Sequence, residues 1–406
     1  MLRLVNWFAA SLSLSLLGSA VAGQVKFNNT GMFPRYTDEY RDISINSGLS
    51  EWNSMLLSSS GELIITANIN GMDVPALLDT GSSKVAVDNS LAKRLNLVID
   101  QSTVANTPAG VVAGESAGML HISIGGRKLP VDRALVSDLS AVNAATGVRF
   151  GAIIGVNAFT DGALEFDFRR MRFRFTASST NHPDFESIPL SLVQGVPVMT
   201  ASLDGRTGTR IMIDTGHNSD LSASRSLFDL MATTAGRQTT LARAGVGGIS
   251  VARLTTLHTL TFQNYPLQDI SLQGEASGQF IDRLRVDAVA GTRLLRRFDL
   301  ILDFANHHVL LKPSGLTVSP AIKSTSGLQI VYARGVGVVA HVMKNGPAEA
   351  AGWKTGDRIC SVNGMSAQVV GDTPSLKAWG TGQPGLTVKL GMCNGDKREL
   401  TLSSFY

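Results

Sequence analysis

Two acids stand out in this chain because each ends an apolar run and is followed by the same two residues. "ALLDTG" (76–81) and "IMIDTG" (211–216) place Asp79 behind Leu77-Leu78 and Asp214 behind Met212-Ile213, with Thr and Gly next in both. An acid at the inner end of a buried strand is costly unless its charge is hydrogen-bonded or shared. Two such carboxyls held side by side cannot both ionise, so they share a proton and titrate as a unit. The ionised oxygen can take a proton from water while the protonated partner polarises a carbonyl. Gly81 and Gly216 have no Cβ, so their N–H groups can approach the carboxylates closely. Ser82 and Ser83 are placed to hydrogen-bond the outer oxygen of Asp79 and favour its ionised form.

Asp-Thr-Gly is also ordinary turn chemistry, and one copy would decide little. The surrounding layout is what repeats. Ile153-Ile154-Gly155 follows Asp79 at nearly the distance at which Val289-Ala290-Gly291 follows Asp214. Each glycine precedes an Asp-Phe pair by twelve positions, Asp167-Phe168 and Asp303-Phe304, with Phe159 and Phe298 in between. A repeat of about 135 residues is too long for a solenoid unit and fits a whole lobe.

These twin motifs resemble those of the aspartic peptidases over about residues 56–312. The chain is pepsin-like in having two lobes and retropepsin-like in the shortness of each. The resemblance implies an endopeptidase acting on extended polypeptides, with Asp79 and Asp214 as the catalytic pair and Thr80 and Thr215 cross-bonding the two loops. Two departures follow. His217 stands where that family usually has Thr, Ser or Ala: as a cation it would depress the pair's pKa values, as a neutral ring it would orient them, and it could equally face solvent. No Tyr occurs between Tyr40 and Tyr265 to serve as a pepsin-type flap residue. The expected flap is instead "TPAGVVAGESAGML" (107–120), with Gly110, Gly114 and Gly118 suited to a mobile tip, and its counterpart is "ARAGVGGISVARL" (242–254).

The elements around these motifs are mainly β, read from short apolar alternations such as "ELIITANIN" and "TVKLGMC". Residues 1–22 read as a signal peptide: Arg3, an apolar stretch from Trp7 to Leu17, then Ala20-Val21-Ala22 before Gly23. A periplasmic or secreted bacterial protein is expected, with no stable membrane span after cleavage. Residues 23–55 fit neither repeat and read as a first strand, a tail or an inhibitory pro-segment. Lobe 1 is assigned to 56–180 and lobe 2 to 181–316. The formal net charge is +4, with no basic run suited to nucleic acid. No Cys/His cluster or phosphate-cradling loop is seen, so no metal or organic cofactor is expected.

"KPSGLTVSPAIKSTSG" (312–327) reads as a flexible linker. Beyond it, "VVAHVMKNGPAEAAGWKTGDRICSVNG" (338–364) resembles a PDZ domain, assigned to 317–406, a β-sandwich or barrel with short helices. Such a module adds an extended peptide to a sheet edge while loop N–H groups receive a terminal carboxylate. By that resemblance the loop lies near Gly327, Leu328, Gln329 and Ile330, and C-terminal peptides are the expected partners. Cys360 and Cys393 are the two cysteines, paired or free. A rival reading is a non-catalytic peptide receptor with degenerate peptidase lobes, for which His217 is the main support.

Overall fold

The computed structural model describes residues 6–8 and 52–406, except 59, 108–109, 130, 147, 178–181, 234, 246–247 and 277–278. Most of the expected leader, and residues 23–51, therefore lie outside the described residues. Among the described residues the chain is mainly β, in three sheets of 11, 13 and 6 strands. Among the described residues no helix is long and apolar enough to cross a membrane.

The two halves are built alike. In lobe 1 the strand Met72–Leu78 lies parallel to Ala152–Ile154, which in turn pairs antiparallel with Ala86–Asp88. In lobe 2 Arg206–Asp214 lies parallel to Ala288–Gly291, which pairs antiparallel with Leu221–Ala223. Strands buried on both faces read as continuous apolar runs, which is why Ala76-Leu77-Leu78 and Ile211-Met212-Ile213 carry no alternation. The crossing strands end in glycine for a steric reason. A Cβ on Gly155 would lie 2.3 Å from the Lys84 carbonyl oxygen, and one on Gly291 2.4 Å from that of Ser219.

The Asp-Phe pairs end the strands that join the lobes. Ala163–Asp167 and Phe298–Asp303 pair with each other antiparallel, so each lobe gives its last hairpin to one shared sheet. Asn53–Ser54 extends this sheet beside Arg172–Thr176, so the end of the 23–55 segment supplies a strand. Phe159 packs against Phe175 and against Phe304 of the other lobe, at 6.2 and 5.9 Å between ring centroids, while Phe298 packs on Phe262 and Tyr265. Burying such rings along the lobe junction favours one fixed relation between the halves.

Each lobe carries a long hairpin: Ile99–Thr107 with Gly110–Gly118, and Thr239–Gly245 with Gly248–Phe262. Asn6–Phe8 runs parallel to Val104–Asn106 at the edge of the first. Of the three flap glycines only Gly110 adjoins the hairpin tip. Gly114 pairs with Thr103 and Gly118 with Arg133, inside the sheet.

The C-terminal module holds the strands Leu328–Ala333 to Lys397–Thr401 around its own core, which includes Val339, Trp353, Ile359 and Leu390. Cys360 and Cys393 form a disulfide across it, with Cα atoms 5.0 Å apart. The expected flexible linker is instead tied down. Ser314 donates to the Arg297 carbonyl at 2.9 Å, and Arg293 Nη2 to the Ser319 carbonyl at 2.7 Å. The module then packs on lobe 2, where Met343 and Phe405 share a buried cluster with Leu241, Ala252 and Leu254. Linker composition predicted freedom because Pro, Ser and Gly disfavour regular elements; it carried no information on what the segment would rest against.

Candidate active site

Asp79 and Asp214 sit at corresponding ends of the two central strands, both fully buried. Each loop turns back so that its glycine N–H donates to its own acid: Gly81 to Asp79 Oδ1 at 2.8 Å, Gly216 to Asp214 Oδ1 at 2.9 Å. The glycines are required by the opposite acid. A Cβ on Gly81 would lie 2.3–2.4 Å from the carboxyl atoms of Asp214, and one on Gly216 2.4–2.6 Å from those of Asp79. The two carboxyls thus face each other across two glycines, with no room for any other residue type.

The loops are locked by their threonines. Thr80 N–H donates to Thr215 Oγ1 and Thr215 N–H to Thr80 Oγ1, both at 3.0 Å. The hydroxyls complete the exchange: Thr80 Oγ1 donates to the Ile213 carbonyl and Thr215 Oγ1 to that of Leu78, both at 2.8 Å. Four buried bonds with two-fold symmetry fix the separation of the acids. Each is worth about 0.5–1.5 kcal/mol made, and more is lost where a buried partner is left alone.

Burial pushes Asp79 up to about 7, and hydrogen bonds from Asp214 and from the Gly81 and Ser82 main chain only partly offset it. Asp214 is raised well above the ordinary carboxylate range, first by burial and then by the charge of Asp79. The elevated values belong to the pair, which holds a proton well into the neutral range. The Oδ2 atom of each acid is buried without a protein hydrogen-bond partner.

Other expected residues are placed differently. The Ser82 hydroxyl turns away from Asp79 and donates to the Lys84 carbonyl at 2.7 Å; its main-chain N–H is what reaches Asp79. Ser83 lies under the lobe 2 turn at Gly195, where a Cβ would approach the Ser83 Cβ to 2.9 Å. His217 is buried, and its Nε2 is 2.9 Å from the Ser222 hydroxyl and also contacts that of Ser219. The ring is thus engaged inside lobe 2, while the His217 N–H holds the Asp214 loop.

Glu62 was not singled out by the sequence. It is fully buried immediately before the strand Leu63–Ile69, accepts from Ser60 Oγ at 2.6 Å and from Ser58 Oγ, and accepts from Asn218 Nδ2 at 3.0 Å. Burial raises its pKa against the pull of these donors. Glu62 thus ties lobe 1 to the Asp214 loop of lobe 2, where Gly61 packs on Asn218 as Gly195 packs on Ser83. Asp220, also fully buried, accepts from the Ser271 N–H at 3.0 Å and faces Arg293 and Arg297 at 3.5 and 3.8 Å. A polar residue beside an apolar strand was the only hint of either, and it does not name a partner.

In the C-terminal module the loop expected to receive a carboxylate is closed on itself. Gly327 N–H donates to Ser324 Oγ at 3.0 Å and Leu328 N–H to Ser326 Oγ at 3.1 Å. The N–H groups of Thr325 and Ser326 both donate to the Gly380 carbonyl at 2.9 Å. The Trp379 indole donates to Tyr332 Oη at 2.9 Å, bridging the edge strand Leu328–Ala333 to the segment after the helices. Ile330 packs half-buried against the module core, and the Gln329 side chain points to lobe 2.

Among the described residues no group of three or more His, Cys, Asp or Glu is arranged to hold a metal ion. Residues 65–158 match a family model described as aspartyl protease, and residues 313–375 match one described as PDZ domain. No curated protein matches the chain. Twin acids on matched loops, followed by the edge-stranded module, agree with both: the chain carries an aspartyl protease domain and a C-terminal PDZ domain.

Proposed function

We propose that the chain is an aspartic endopeptidase whose catalytic pair is Asp79 and Asp214. One observation carries this reading: two buried carboxyls face each other, locked by reciprocal threonine bonds. In the reaction the Oδ2 atoms hold the attacking water. The ionised carboxyl takes a proton from it as the oxygen adds to the peptide carbonyl, and the protonated carboxyl donates to the carbonyl oxygen. When the C–N bond breaks, the newly protonated carboxyl gives its proton to the leaving amine while the other carboxyl takes one from a hydroxyl of the tetrahedral gem-diol as its C=O re-forms, so the pair again holds one shared proton. An extended polypeptide lies under the two long hairpins. Their length suits lids that exclude water.

We further propose export to an oxidising compartment, supported by the Cys360–Cys393 disulfide and by the leader-like residues 1–22. The receptor alternative loses its main support, because the His217 ring is held by Ser219 and Ser222 inside the lobe. Cleavage of unfolded casein with and without pepstatin tests the reading. Inhibitor-sensitive cleavage is expected; a chain that binds casein but never cleaves it would refute the assignment.

A further inference from the structure

Besides its apolar contacts with the lobe 2 hairpin, the PDZ module meets the hairpin's outer strand with one side chain that imitates a strand. Thr239–Gly245 forms the edge of its 13-stranded sheet, and an edge strand leaves every second N–H and C=O pointing outward. At Ala242 both outward groups are taken by one residue. The Ala242 N–H donates to Gln329 Oε1 at 2.6 Å, and Gln329 Nε2 donates to the Ala242 carbonyl at 3.2 Å. The carboxamide supplies one acceptor and one donor side by side, as a peptide unit of a neighbouring strand would. Both residues are about 1% exposed, so water cannot replace either bond. Thr240 Oγ1, 2.8 Å from His341 Nε2, fixes the adjacent position.

We infer that Gln329 is a positioning residue: it braces the lobe 2 hairpin from the PDZ module and so sets how substrate is held on that side of the cleft. The inference rests on the peptidase reading only for its kinetic consequence. The module is then a working part of the cleft wall, rather than an appendage on a free tether. Gln329 would have been read as a ligand contact of the module's own loop, but its carboxamide is committed to lobe 2.

Gln329→Met keeps length and volume but can neither donate nor accept strongly, leaving two buried backbone groups unmatched. Gln329→Leu serves as a second variant should methionine alter packing. In the full-length chain, amide exchange at Ala242 is expected to rise about tenfold or more, with the amides of Met72–Leu78 and Ile211–Asp214 unchanged. For a short peptide, KM is expected to rise about tenfold with kcat nearly kept, since the dyad is untouched. In the Asp79→Asn background the same peptide is expected to bind about tenfold more weakly when Gln329 is replaced, a readout that needs no turnover. Unchanged exchange at Ala242 would show that no brace exists. Faster exchange with unchanged KM and peptide affinity would leave the contact purely structural and overturn the positioning role. A wild-type chain that binds the peptide without cleaving it would instead refute the peptidase reading, while the exchange and binding data still decide this one.

Discussion

Replacing Asp79 by Asn should remove activity and, above mildly acidic pH, make the protein more stable. The carboxyl is fully buried, and burial raises it from the ordinary 3.8 to about 7. A folded-state value above the unfolded one means that the native state binds the proton more tightly. The stabilisation is then complete below about pH 4 and is lost as pH rises through about 7. At about 1.4 kcal/mol per pH unit this amounts to roughly 4 kcal/mol, an upper figure because the two acids share the effect. Asn has the same shape, carries no titrating charge and removes the repulsion on Asp214. Urea unfolding of the lobes between pH 3.5 and 8.5 should show wild type and Asp79→Asn converging at the acid end. They should separate by up to about 4 kcal/mol in favour of the variant at the alkaline end. A variant that is less stable than wild type at pH 8, with an unchanged pH slope, would refute the claim that the pair stores a buried proton.

Thr80→Val removes a hydroxyl that serves both the Thr215 N–H and the Ile213 carbonyl, so it should cost about 2–4 kcal/mol in urea unfolding, whereas Thr80→Ser should cost much less. Glu62→Gln should stabilise the chain at neutral pH and make no difference in acid, because the raised value of Glu62 means its stabilising proton is lost as pH rises; equal stability at both ends would contradict its buried charge. His217→Thr should leave the pH–rate profile in place, since the ring faces Ser222 rather than the acids, while lowering thermal stability by about 1–3 kcal/mol as the buried serine loses its partner. A displaced acid limb in the profile would put the ring back beside the dyad.

The parts of the site legible in the sequence are those in which steric necessity dictates residue type. Gly81 and Gly216 are set by the opposite carboxyl, and Gly155 and Gly291 by carbonyls crossing behind the loops, so all four recur at matched places in the two repeats. The β lobes were legible for a similar reason, because buried parallel strands must be apolar throughout. Direction of side chains was not legible. Ser82, three residues after Asp79 in the turn, has a rotamer choice that the Lys84 carbonyl decides, and the ring of His217 follows two serines brought close by the fold. Glu62 meets Asn218 from a distant part of the chain, and no local pattern encodes such a pair. The docking of the module was hidden for the same reason. "GLQI" stands where the resemblance to PDZ domains puts a peptide-binding loop, yet the outward groups of Ala242 determine what Gln329 does.

The central claim is that Asp79 and Asp214 work as one unit, and kcat/KM for the single and double Asn variants tests it most directly. Each of Asp79→Asn and Asp214→Asn should lower kcat/KM for a peptide substrate by about a thousandfold or more, and the double variant should fall little further. Losses that multiply in the double variant, or an Asp214→Asn chain that retains most of its turnover, would show that the two acids do not share one catalytic task.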